Sequence, residues 1–195
     1  MNKTDIKEKL IIAQEARKFA EDELGFKPTK NYTTYVHLEK PYVTWVLSVA
    51  HKAKLEYKLF SFPMVGDLPY KGYFNEPEAY EAEKEFDQKD YDTWVRGVSA
   101  YSTLGWFNDP ILSSMLKGSL ADVTELILHE SAHATIYIKS AADFNEQLAT
   151  FLGQEGARRF FIKKEGENSK HIKQMEEEGL DQKAFSLFLK KEIDG

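Results

Sequence analysis

Leu126-Ile-Leu-His129-Glu130-Ser-Ala-His133-Ala-Thr-Ile-Tyr137 is an apolar, helix-forming run that carries His-Glu-x-x-His. On a helix, residues four apart lie about 40° apart around the axis, so both imidazoles can reach one Zn²⁺. The intervening Glu130 then lies beside the metal, where a bound water would be. Two protein ligands leave a zinc site incomplete. Asn145-Glu146, in the helical stretch Phe144 to Phe161, supplies the candidate third ligand. Two histidines and one glutamate, with a position left for water, form a catalytic set holding one zinc per chain.

Each residue also has a plainer reading. His-Glu-x-x-His arises by chance, and His129 and His133 could be core histidines bonded to carbonyls. Asp143-Phe-Asn-Glu146 reads as a capping box, with Asp143 as N-cap and Glu146 at N3. The plain readings need three separate explanations; the metal reading needs one.

Composition narrows the field. A chain of 195 residues with 42% hydrophobic residues can bury a substantial core, most simply as one domain spanning 1–195. A net charge of −6 argues against a nucleic-acid groove. Without cysteine, disulfides and thiolate metal sites are excluded. No run approaches the roughly 20 apolar residues of a transmembrane helix, and no signal peptide opens the chain. As it stands the chain reads as cytoplasmic.

Helical spacing runs from Thr4 and Asp5 to Leu24, and Gly25 and Pro28 stop it. Asn31 to Lys40 reads as turns. Pro41 to Val49 is the strongest strand, and Glu56 to Phe62 a second that ends at Pro63 and the Gly66–Pro69 breaker. Tyr70 to Phe74 is a further short strand, and Asn75 caps a helix from Glu76 to about Gln88. Asp92 to Ser99 returns to strand. Ala100 to Pro110 is an aromatic and glycine-rich loop, suited to a buried turn or a substrate-facing rim. Ser119 and Asp122 form a capping box for the helix carrying His129. A helix then extends from Asp143 to near Lys164, and a last amphipathic one covers Gln174 to Glu192. His37, His51 and His171 are assigned to the surface. Short, unevenly spaced strands without a phosphate loop predict an α+β fold, with a small mixed or antiparallel sheet packed on the helix that bears the motif.

Taken in order, several segments resemble one bacterial family. They are Phe62-Pro-Met-Val-Gly, Tyr70-Lys-Gly-Tyr73-Phe74, Gly97 to Phe107, His129 to His133 and Phe144-Asn-Glu146. The family is that of the predicted aminopeptidases, classed with the His-Glu-x-x-His metallopeptidases whose third ligand is glutamate (the gluzincin type). The resemblance implies a zincin-like fold, His129, His133 and Glu146 as zinc ligands, and Glu130 as general base. It implies that Asn145 orients a ligand histidine, as the corresponding Asn does in thermolysin-like enzymes, and it sets Thr150 where those enzymes tend to have a supporting Asp. Family members often begin with a lipoprotein-type signal. A trimmed chain would therefore belong to the cell envelope, lipid-anchored on the periplasmic side.

The chemistry implied is hydrolysis of a peptide or protein substrate, with Glu130 shuttling the proton. Tyr137, one turn beyond His133, and Tyr101, from the preceding loop, are candidate transition-state contacts. Val95 to Tyr101, including Val98, Ser99 and Ala100, is the candidate edge strand for pairing with an extended substrate. Two alternatives stand beside this one: a non-catalytic peptide-binding scaffold, and a zinc hydrolase acting on another amide.

Overall fold

The computed structural model describes residues 2–39, 42–54, 56–98 and 108–194. Its elements are α1 (Lys3–Glu23), β1 (Tyr35–Val36), β2 (Thr44–His51), β3 (Phe60–Phe62), β4 (Gly66–Leu68), β5 (Tyr70–Tyr73), α2 (Glu76–Glu83), β6 (Tyr91–Val98), β7 (Ile111–Leu112), α3 (Leu120–Thr135), α4 (Ala142–Glu165) and α5 (Lys170–Asp194). A 3₁₀ turn, Ser113–Leu116, joins β7 to α3.

Three helices form the packed body. Ser119 and Asp122 start α3 as a reciprocal capping box: Asp122 N–H donates to Ser119 Oγ (3.2 Å), and Ser119 N–H to Asp122 Oδ2 (2.7 Å). Val123, Ile127, Leu128 and Ala132 of α3 are all buried. On one side they meet α1, whose facing positions Ala13, Ala16 and Ala20 are small. On the other they meet α4 through Ala149, Gly153, Gly156 and Ala157. A Cβ on Gly153 would stand 2.9 Å from Glu125 O and 3.1 Å from His129 Cβ. Backbone therefore touches backbone at the level of the first motif histidine, and only glycine permits it.

The second layer is an antiparallel sheet in the order β5-β2-β6. Leu47 and Val49 of β2 are fully buried, on the face that α2 covers. Strand alternation puts Val46, Tyr70, Gly72, Trp94, Arg96 and Val98 on the opposite face. The pairs Val46↔Gly72, Val46↔Arg96, Ser48↔Tyr70 and Ser48↔Trp94 fix this register. A small hairpin, β3–β4, stands beside it. Its residues hold the loop between α3 and α4: Asp67 N–H donates to Ser140 Oγ (3.2 Å), Ser140 N–H to Val65 O (3.3 Å) and Lys139 Nζ to Pro63 O (3.1 Å). Gly66, at φ +85°, is the point of closest approach, and a Cβ there would lie 2.7 Å from Ser140 N.

Several sequence expectations move. The Gly66–Pro69 breaker contains β4, and of the Glu56–Phe62 strand only Phe60–Phe62 pairs, apart from a bridge between Tyr57 and Ala50. Tyr35–Val36 is not turn but a parallel partner of Ile111–Leu112, too short to leave a pattern. Helix α2 ends at Glu83, and the following turns fold into β6, where Thr93 Oγ1 donates to Glu83 Oε1 (2.7 Å). His171 is not at the surface. It is buried, stacked on Phe161 with ring centroids 4.5 Å apart, and its Nδ1 lies 2.8 Å from Glu165 Oε2. No described helix is long and apolar enough to cross a membrane.

Candidate metal centre

His129 and His133 occupy the last two turns of α3, and Glu146 follows the first turn of α4. The two helices run antiparallel at glycine distance, so these three side chains converge. His129 Nε2 and His133 Nε2 are 3.2 Å apart. Glu146 Oε2 is 3.5 Å from the first nitrogen, and Oε1 is 3.5 Å from the second. Four ligands placed about 2.0–2.2 Å from a zinc ion at tetrahedral angles have neighbours roughly 3.3–3.6 Å apart. The two nitrogens are therefore spaced as two vertices of such a tetrahedron, and one carboxylate oxygen lies at that spacing from each of them. Among the described residues it is the one cluster of three His, Cys, Asp or Glu side chains able to share an ion.

This arrangement removes the capping-box reading of Glu146. The N-cap of α4 is Ala141, Asp143 lies inside the first turn, and no side chain caps the helix. Asn145 also departs from expectation. It touches neither histidine: its Oδ1 accepts from Ile138 N–H (2.9 Å) and its Nδ2 donates to Ile138 O (2.7 Å). His133 Nδ1 is buried with no hydrogen-bond partner among the described residues. Thr150, one turn after Glu146, is exposed on α4.

The charges respond to one another. Burial pulls the His133 imidazole down from its ordinary value; Glu146 opposes this, and His129 adds to it. Burial acts the same way on His129, but the bond to Glu146 and the charges of Glu130, Glu146 and Glu125 outweigh it and raise its pKa. The His129 contact holds the Glu146 carboxyl below the usual range, against burial and with help from both imidazolium charges. Glu130, on the cleft side of α3, is 9% exposed. Burial pushes its carboxyl up to about 7; His129 works against the rise, and Glu146 and Asp109 add to it.

These groups open onto a cleft of about 610 Å³ between the helical body and the sheet. Tyr137 and Val98, both expected at the site, line it, although Tyr137 Oη donates to Val65 O (3.3 Å). Tyr101, Ser99 and Ala100 lie outside the described residues, as does most of the aromatic loop. The sheet contributes two residues that sequence reading passed over, Tyr70 and Arg96. The Tyr70 phenol is held in its protonated form, its pKa raised by burial and by the charges of Glu146, Tyr137 and Glu130 against the pull of Arg96. Alternation along the short strand at Tyr70 was the available signal. The facing of that strand toward the motif helix was not.

A protein-family model described as "Putative aminopeptidase" matches residues 1–194. No curated protein and no solved structure gives a match.

Proposed function

Since the chain belongs to that aminopeptidase family, we propose that it is a zinc-dependent peptidase of the His-Glu-x-x-His type with a glutamate third ligand, on a zincin-like α+β scaffold. The observation that carries this reading is the convergence of two Nε2 atoms 3.2 Å apart with a carboxylate whose oxygens each lie 3.5 Å from one of them, and a buried glutamate beside it. His129 and His133 would hold the ion through Nε2, and Glu146 through its carboxylate. Two imidazoles and one carboxylate suit zinc better than calcium or magnesium, which take oxygen ligands. When bound, the ion contributes Lewis acidity toward a peptide carbonyl and toward water.

The chain's own groups do the rest. Glu130, buried on the cleft side of α3 beside the two histidines, is placed to accept a proton from the attacking water. It returns that proton to the amide nitrogen as the C–N bond breaks, leaving hydroxide oxygen on the acyl carbon. The Tyr70 phenol faces the cleft and can donate to the carbonyl oxygen as that atom gains charge. Among the described residues strand β6 is an edge of the three-stranded sheet, so an extended peptide can pair with it through main-chain bonds that select no sequence.

Metal analysis of the purified protein and mass spectrometry of products from a mixed peptide library test the reading. About one zinc per chain and cleavage at peptide bonds are expected, and Glu130→Gln should keep the metal and lose turnover. Protein without zinc affinity, or turnover that survives Glu130→Gln, overturns it. N-acetylated peptides separate amino-terminal trimming, which acetylation blocks, from internal cleavage.

A further inference from the structure

Arg96 projects from β6 into the cleft on the face shared with Trp94 and Val98. Apart from the two motif histidines, it is the one basic residue among the described residues lining that cleft; Glu130, Asp143 and Glu146 are the acidic ones. None of them lies within ion-pair distance of its guanidinium, and no other described carboxylate does. Glu146 is turned instead to the two histidines.

The guanidinium is nonetheless held in place. Its carbon sits 5.4 Å from the centroid of the Trp94 ring, two residues back on the same face. Resting on an aromatic face leaves the N–H edge of the fork free and lowers the entropy lost when that edge binds. The row Gly72–Val46–Arg96 crosses the sheet beneath it. A Cβ on Gly72 would meet nothing within 4 Å, so the floor of the cleft is open at the far end of that row, across Val46 from Arg96. A planar, oriented, unpaired cation in an open trough beside a hydrolytic centre fits one kind of partner, a planar anion reached by two parallel N–H bonds.

We propose that Arg96 receives a carboxylate of the substrate, so that the cleft selects peptides carrying a negative group at a fixed distance from the scissile bond. A peptide offers that group as its C-terminal carboxylate or as an Asp or Glu side chain. The proposal rests on the hydrolytic reading of the site and adds the substrate class.

Three peptides of one backbone sequence test it: the free acid, its C-terminal amide, and the amide with Glu as last residue. Binding is measured by calorimetry on zinc-loaded Glu130→Gln protein, and cleavage as kcat/KM on the wild type. Wild-type protein should favour the free acid over the plain amide by about 10–100-fold, the range of a charge-assisted bond. Arg96→Gln should bring that ratio to about one, and Arg96→Lys, which keeps the charge but not the fork, should leave an intermediate ratio. If the Glu-bearing amide is the one favoured, the carboxylate is a side chain's, and the proposal stands in that form. A ratio near one in wild type for both carboxylates overturns it. So does a variant that weakens acid and amide equally, since Arg96 would then act on the reacting carbonyl. Should Arg96→Gln fail to fold, the wild-type and Arg96→Lys ratios still decide. Binding discrimination without cleavage would remove the hydrolytic reading and keep the carboxylate site; cleavage without discrimination would do the reverse.

Discussion

Asn145 grips the Ile138 backbone on both sides of its Cα, accepting from the N–H at 2.9 Å and donating to the carbonyl at 2.7 Å. The side chain stands in for a strand partner and closes the six-residue gap between the end of the motif helix and the start of α4. Its neighbour in sequence is Glu146. Fixing the loop thus fixes the start of the helix from which the glutamate projects.

Asn145→Ala should therefore act on the ion without touching it. We expect zinc affinity to fall by about 10–100-fold, as when a supporting partner of a ligand is lost. Metal-free stability should fall by about 1 kcal/mol, because the Ile138 N–H loses its partner while the carbonyl keeps Ala141 N–H. Competition with a chelating dye and thermal melts measure the two. Unchanged affinity would mean that the loop does not govern where Glu146 stands.

Glu146→Gln makes a second test. The residue caps nothing and its side chain is 59% exposed, so removing its charge should leave the metal-free protein nearly as stable. Zinc affinity should drop by more than the 10–100-fold of a supporting residue, since a bonding oxygen and its charge go together. A melt of the metal-free variant several degrees below wild type would assign Glu146 a structural duty instead.

For protein stripped of metal, Glu130 sets a pH dependence. Its folded pKa of about 7 lies above the ordinary value of 4.5. A raised carboxyl pKa means that the unfolded chain gives up this proton first, so stability is lost as pH climbs from roughly 4.5 to 7. The loss approaches about 3 kcal/mol above that window at the upper bound. Glu130→Gln should consequently stabilise metal-free protein at pH 8 and do little at pH 4, as urea melts at the two pH values would report. Equal effects at both would mean that the carboxyl titrates normally.

Tyr70→Phe removes one hydroxyl and little volume. If that hydroxyl donates to the developing oxyanion, kcat should fall on the order of 10²-fold while KM and zinc content stay near wild type. A rise in KM at constant kcat would make Tyr70 a binding residue only.

What the sequence made legible, and what it hid, divides along the chain's range of interaction. His129 with His133 and Ser119 with Asp122 act within one or two helical turns, and local spacing carries such information. Glu146 was legible because it opens the next helix, but its local partner, Asp143, offered an equally good cap. Only the close approach of α3 and α4 separates the two readings. The stripe Ala149, Gly153, Gly156 and Ala157, which permits that approach, was in plain view and went unread. Asn145 bonds to backbone, which has no sequence signature. Tyr70 and Arg96 become neighbours through the register of two strands on either side of β2, and His171 is buried by the return of α5 onto α4. Such facts belong to tertiary packing and are not written in any window of residues.

Gly153 carries one more implication. Its missing methyl group lets the carbonyl of Glu125 and the Cβ of His129 lie where a side chain would otherwise be. The spacing of the three candidate ligands is therefore gauged from behind, by how far one helix can sink into the next, as the jaws of a caliper are gauged by their slide. A survey of inactivating substitutions would accordingly find a second cluster, dry and remote from substrate, along the seam of α3 and α4. Gly153→Ala would head it: a mutation that adds one carbon, removes no ligand, and is read out as lost affinity for the ion.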